Sequence, residues 1–266
     1  MKNKFMTNEE YNACFFDFWD LREEIAQSLV LYGLHPGTHV LDVAAGHGLF
    51  AFEIAKIIQR GEVHAVGLEN DLNAFQRFQR SLPREERQKV RKVLQYHVMD
   101  ATNLAFPSAR FDFVVNFLGL EDINMTKGEQ GVKDCITEVV RVLKSQGILL
   151  LTVCLYGDQP DEKLAKELSR QIGHNAIFYP KEFYIEQLTS KGVKIMEEKW
   201  FYTRRKMTSS QAKEELQFAC AKTPKIFDKY NVETVTFETL WNKYQDAIDA
   251  HGVAYYSDLC VIIGKK

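Results

Sequence analysis

The stretch His39–Glu53, HVLDVAAGHGLFAFE, decides how the rest of the chain is read. Val40–Ala44 is apolar apart from Asp42 and reads as a strand buried on both faces. Gly46-His47-Gly48-Leu49-Phe50-Ala51 then fits the G-x-G-x-x-G/A pattern of a ligand-binding turn. Glycines let a ligand approach the backbone, and the helix starting near Leu49 aims its free N–H groups at it. Such a turn suits a dinucleotide or an adenosyl cofactor. Asp42 separates the two, because a carboxylate at that strand end repels a pyrophosphate and holds a ligand that carries an ammonium group.

Working outward, short apolar runs alternate with helical patterns, as in a parallel sheet with helices on both faces. VLDVA (40–44), VHAVGLE (63–69), VLQYHVM (93–99), FDFVVNFL (111–118) and GILLLTVCL (147–155) read as five strands. LFAFEIAKIIQRG reads as a helix stopped by Gly61, DLNAFQRFQRSL as one capped by Asp71, and EQGVKDCITEVVRVLKSQG as one closing at Gly147. Later, PDEKLAKELSRQIG and PKEFYIEQLTSKG read as helices that begin at proline and end at glycine, and VKIMEEKWFYTRRKM as a strand with one wet face. Helical patterns return in SSQAKEELQFACAKT and FETLWNKYQDAIDAHG, before a last strand in VAYYSDLCVIIG.

Lys plus Arg (34) nearly balances Asp plus Glu (36), so no overall field favours nucleic acid or an anionic membrane. PREERQKVRK is the basic cluster, and its acidic members make it a solvated face. Without a leader-like start or an apolar run near ~20 residues, neither secretion nor membrane insertion is expected, and a cytoplasmic location is. Five scattered cysteines without C-x-x-C spacing argue against a disulfide framework or a zinc knot, and no ligand set indicates a metal. With no Pro/Gly/Ser-rich linker, residues 1–266 are expected to form one domain. Its parts would be an N-terminal helical cover (1–37), a cofactor core (38–155), the sheet's completion (156–207 and 253–266) and a helical insertion (208–252) over the substrate.

Taken together, VLDVAAGHG, VGLE, MDATNLAFPSARFDFVV and EVVRVLKSQGILLLTV resemble, in order over residues 38–155, the motifs of class I S-adenosylmethionine-dependent methyltransferases. The branch is that of ubiquinone/menaquinone-biosynthesis and similar small-molecule enzymes. The resemblance implies an α/β, three-layer Rossmann-like sandwich. Its seven-stranded sheet is mostly parallel with an antiparallel last strand, and the helical insertion falls between strands six and seven. It also implies S-adenosylmethionine as cofactor and a small-molecule methyl acceptor as partner. Asp42, Ala44, Gly46 and Gly48 would surround its methionine part, Glu69 the ribose hydroxyls with Asn70 beside it, and Asp100 and Ala101 the adenine. Asn116 would border the methionine part and the substrate. Ala44 replaces the commonest glycine, and Glu121 stands where many relatives carry histidine, which puts any inherited acid–base role in doubt.

Methyl transfer from a sulfonium needs alignment more than a base. Where a proton must leave, Glu121, Asp122, Tyr156, His174 and His251 are the candidates. Tyr11, Phe15, Phe18 and Arg22 share one helix face, either an ordinary core stripe or, as in resembling enzymes, a cover that sets Tyr11 and Trp19 at the cofactor opening. Phe218, Phe227, Tyr230, Phe237, Trp241 and Tyr244 either shape an acceptor pocket or pack on themselves. Methylation of protein or nucleic acid, adenosylmethionine binding without catalysis and NAD-dependent oxidoreduction are the alternatives. Strand four ends in NFLGLED, without the Pro-Pro-aromatic turn that grips a base amine.

Overall fold

Near-continuous burial along the central strands requires helices on both faces of the sheet. The computed structural model describes residues 19–172, 178–203, 205–226 and 235–266. In chain order the elements begin with α1 (Trp19–Ser28), a 3₁₀ turn (Leu29–Tyr32), β1 (His39–Val43), α2 (Leu49–Ile58), β2 (Glu62–Gly67), α3 (Glu69–Ser81) and α4 (Arg84–Val93). They continue with β3 (Leu94–Val98), β4 (Phe111–Phe117), α5 (Leu120–Val142), β5 (Leu143–Leu155), α6 (Pro160–Gln171), α7 (Lys181–Thr189) and β6 (Lys194–Tyr202). The chain closes with β7 (Lys206–Met207), α8 (Ser209–Ile226), α9 (Phe237–His251), β8 (Val253–Ala254) and β9 (Asp258–Lys265). The seven-stranded sheet runs β3-β2-β1-β4-β5-β9-β6, parallel through β5, with β9 antiparallel to both of its neighbours.

Successive residues of each strand feed opposite cores. Leu41, Val114, Leu149 and Ile262 face α5 and α7, while Val40, Val115, Leu150 and Val261 face α1 to α4. Phe52 is fully buried in the second core and stacks on Phe75 with ring centroids 5.0 Å apart. This is the three-layer, mostly parallel architecture that the sequence implies, with α8 and α9 inserted between β6 and β9. A third cluster joins α6, α8 and α9 with the short β7–β8 ribbon.

Four local readings are corrected. Asp71 is not the cap of α3, which starts two residues earlier; its carboxylate instead accepts from the Leu68 N–H at 3.3 Å. The helix expected to close at Gly147 ends at Val142, because Leu143 already pairs with Phe111 in the sheet. PREERQKVRK, read only as a solvated run, is mostly helix α4, held by Val90 and Val93. Finally, VKIMEEKWFYTRRKM breaks into β6 and β7, and the last strand likewise into β8 and β9.

The loop from β3 to β4 is clasped from α5, which explains why EVVRVLKSQG matters far from any ligand. Arg141 donates to the carbonyls of Phe106 and Leu104, each at 2.9 Å, and pairs with Glu138. Glu138 in turn accepts the Leu104 N–H at 2.8 Å. Replacing Arg141 by Met removes charged donors from two carbonyls and should cost about 1.5–3 kcal/mol. Urea denaturation checks this; a wild-type midpoint for Arg141→Met would remove the clasp from the account.

Candidate functional site

Parallel strands leave a crevice at their carboxyl ends, and here it deepens into a cavity of about 760 Å³. That volume falls within the range of about 300–1,000 Å³ that encloses small ligands. Its base is the turn after β1. Ala44, Gly46 and Gly48 all have positive φ (53°, 51° and 75°), so the chain folds back on itself before α2 begins. The alanine carries a strain of roughly 1–2 kcal/mol that a glycine would not.

Several groups fix that turn. Ala45 N–H donates to Val66 C=O at 2.8 Å, and Tyr96 Oη donates to Gly46 C=O at 2.9 Å. A side chain on Gly48 would meet the Phe75 ring at 2.7 Å, so only glycine fits under the α3 core. Asn116, 1% exposed, donates through Nδ2 to Val43 C=O at 2.7 Å and accepts from Gly119 N–H at 3.3 Å. Its side chain thus ties β4 to the turn and is not part of the cavity wall.

Asp42 sits above this base on the cavity wall, 1% exposed and without a counter-charge, the Ala51 backbone N–H being the group that faces its carboxylate. Burial pushes its carboxyl up to about 8. Glu69 and Asn70, the first residues of α3, line the same cavity and are exposed. Asp100 and Ala101 form its far edge, but the Asp100 carboxylate accepts from Thr102 N–H at 2.9 Å and pairs with Lys127. Burial opposes that charge, yet Lys127 and Thr102 outweigh it and hold the carboxyl below its usual range.

Of the proton-acceptor candidates, Glu121, Asp122 and Tyr156 line the cavity. Glu121 Oε1 accepts the Cys154 N–H at 2.9 Å, while its Oε2 is buried without a partner. Burial pushes Glu121 up to about 7, and burial with the neighbouring Glu121 and Asp71 charges does the same for Asp122. The Tyr156 hydroxyl accepts the Tyr256 N–H at 3.1 Å. His251 ends α9 on the exposed surface, away from the cavity. Tyr11, Phe15, Phe18, His174, Phe227 and Tyr230 lie outside the described residues.

Other residues also reach the site, Arg22 and Phe218 from the segments read as a cover and an acceptor pocket, and Asp71 and Glu215 in roles that no sequence pattern marked. Arg22, 3% exposed, lines the cavity with its guanidinium 5.9 Å from the Phe117 ring centroid. Asp71 lines it beside His47, the two 3.9 Å apart. Burial and the Arg77 charge push His47 down to about 4, so the contact is not an ion pair at neutral pH. Glu215 enters from α8, together with Leu216 and Phe218. Their helical spacing was visible, but which face of α8 meets the sheet was not. Phe237, Trp241 and Tyr244 pack behind, in the third cluster, and the Tyr244 hydroxyl donates to Glu167 at 2.7 Å. Among the described residues no cluster of three or more ligating side chains could hold a metal ion, and no helix is long and apolar enough to cross a membrane.

Comparison with known proteins gives these features a context. Residues 41–151 match the family described as methyltransferase domain. The ubiquinone/menaquinone biosynthesis C-methyltransferase of Ectopseudomonas mendocina (strain ymp) is 33% identical over 125 residues. That match spans 47% of this chain and 44% of the relative, so it covers less than half of that protein's length. The Bacillus halodurans C-125 protein BH2331, named as a candidate methyltransferase, superposes with a TM-score of 0.62 at 19% identity, over 91% of this chain and 98% of that one. The [4+2]-cyclase SpnF does so with 0.59 at 20% identity, over 93% and 80%. Those two likenesses show the fold, and residues 41–151, from β1 to β5, are similar to the methyltransferase domain family and to the ubiquinone/menaquinone biosynthesis C-methyltransferase.

Proposed function

We propose that the cavity binds S-adenosylmethionine and that the protein transfers its methyl group to a small-molecule acceptor. Asp42 carries this reading. A buried carboxyl without a counter-charge is costly, and a ligand ammonium in the cavity would relieve it. Arg22 supplies a buried positive charge for the ligand's carboxylate. Glu69, beside Asn70, offers a charged acceptor for ribose hydroxyls. Ala101 offers an apolar surface to the adenine, and Asp100, engaged by Lys127 and Thr102, holds that edge in place. Asn116 keeps the turn in its left-handed course.

When bound, the cofactor supplies a methyl group already activated on a positively charged sulfur. The chain's part is alignment and exclusion of water. Residues 208–252 serve as the lid of a single domain, with the apolar face of α8 turned to the cavity. The likeness to a ubiquinone/menaquinone biosynthesis C-methyltransferase and the near-neutral overall charge support a small acceptor over nucleic acid. Since SpnF places a cyclase on this fold, binding and turnover are measured separately.

Titration calorimetry with S-adenosylhomocysteine should give saturable binding in the micromolar range, and NADH under the same conditions should give none. NADH binding alone would overturn the assignment. Asp42→Asn and Glu69→Ala should each weaken S-adenosylhomocysteine binding about tenfold or more, since each removes a charged partner. Wild-type affinity in either folded variant would withdraw that residue's role.

The raised carboxyls also predict a pH dependence. Asp42 at about 8 and Glu121 and Asp122 at about 7 hold protons in the native state that the unfolded chain has already lost. Stability of the ligand-free protein should therefore fall as pH rises from about 7 to about 8.5. His47, His64 and His97, pushed down by burial, act in the opposite sense only as pH falls through their unfolded value of about 6.5. Urea titrations across this window should show a shallower slope for Asp42→Asn; an unchanged slope would contradict the buried carboxyl.

A further inference from the structure

We propose, resting on the adenosylmethionine reading above, that the half of the cavity beyond Asp42 takes a basic organic amine on an apolar body, bound as its ammonium by Glu121 and Asp122. Asp122 marks the junction between the two halves. It lines the cavity together with Asp71, which lies beside the β1 turn, and Tyr156, whose hydroxyl accepts the Tyr256 N–H. Glu121 stands next to it with one oxygen anchored on the β5 backbone and the other buried, unpartnered and on the cavity wall. Beyond this pair the walls are apolar and aromatic, with Tyr156, Phe178, Leu216, Phe218 and Tyr255 among them.

Charge decides between acceptor classes. Glu215 on α8 adds a further carboxyl to the lining, and among the described residues its cations are Arg22, Lys127, paired with Asp100, and Lys222, over the Phe218 ring at 5.5 Å. An acceptor with a carboxylate or phosphate beside Glu121 and Asp122 would set a negative charge against carboxyls that already repel one another. A neutral alcohol would leave the buried Glu121 Oε2 without a counter-charge. An ammonium meets both demands, because its three N–H donors can reach the orphaned oxygen and the Asp122 carboxylate together.

The same pair accounts for the proton. An ammonium nitrogen has no lone pair with which to attack. Transfer of one N–H proton to the Asp122 carboxylate leaves a neutral amine and a neutral carboxylic acid, so atoms and charge balance. Burial and neighbouring carboxylates raise Asp122 to about 7, near the working pH, which suits a general base.

The test is calorimetry on protein saturated with S-adenosylhomocysteine. The probes are 2-phenylethylamine, tryptamine and hexylamine, each beside the alcohol and the carboxylate of the same skeleton. At least one amine should bind tenfold or more tightly than both of its counterparts, and that advantage should shrink at least tenfold in Asp122→Asn. S-adenosylhomocysteine affinity in Asp122→Asn within about threefold of wild type shows that the variant folds and loads. Failure of S-adenosylhomocysteine to bind the wild-type protein would sink the cofactor reading itself. If it binds and no amine outdoes its counterparts, the amine proposal alone falls. An amine advantage that persists in Asp122→Asn removes the residue assignment. A variant that loses S-adenosylmethionine affinity but keeps that for S-adenosylhomocysteine, with no amine preference, would place Asp122 against the sulfonium instead.

Discussion

A carboxyl group buried at the end of β1 is the constraint around which the rest is arranged. Asp42 is kept there without a counter-charge, faced by the Ala51 backbone N–H at the start of α2, and the chain turns away at once to open the cavity beside it. The left-handed residues Ala44, Gly46 and Gly48 make that turn, and the second core makes it rigid. Phe75, itself packed on Phe52, fills the space that a side chain at Gly48 would need. Asn116 secures the other side of the turn from β4. Sheet, turn and aromatic core thus have a common result, a polar group held exposed to a ligand and to little else.

What the sequence made legible is local. Asp42, the glycines and Glu69 stand at strand ends in fixed order, and the topology of a parallel sheet brings strand ends together. Asn116 illustrates the limit: it was placed at the cavity border, whereas its amide is consumed by a carbonyl 73 residues away in the chain. Asp100 is similar, since its partner Lys127 belongs to α5 and no spacing rule links them. Helix α4 escaped notice because its buried side is only Val90 and Val93 amid charges, too sparse for a periodic signal. The early start of β5 was hidden by Lys144-Ser145-Gln146-Gly147, which looks like a helix end but is a bulge between Leu143, paired with Phe111, and Ile148, paired with Phe113 and Lys265.

The two halves of the cavity differ in origin. One is built by turns within the parallel core, close in sequence to the strands that hold them. The other depends on Tyr156, α8 and the residues just before β9, segments that meet only through tertiary packing. Glu121 joins the halves physically, because its carboxylate at the start of α5 is anchored on the β5 backbone. Such a division lets the side walled by α8 change without disturbing the side built by the β1 turn.

The position of β9 adds a temporal consequence. Among the described residues β6 pairs in the sheet with β9 alone, so residues 194–202 remain without that partner until residues 258–265 arrive between them and β5. The contacts that bring them together span the whole insertion and are slow to form. During synthesis the five parallel strands, with the turn after β1, can assemble while α8 and α9 are still unanchored at one end. A nascent chain therefore completes the crevice at its strand ends before it acquires the wall that α8 adds to the cavity.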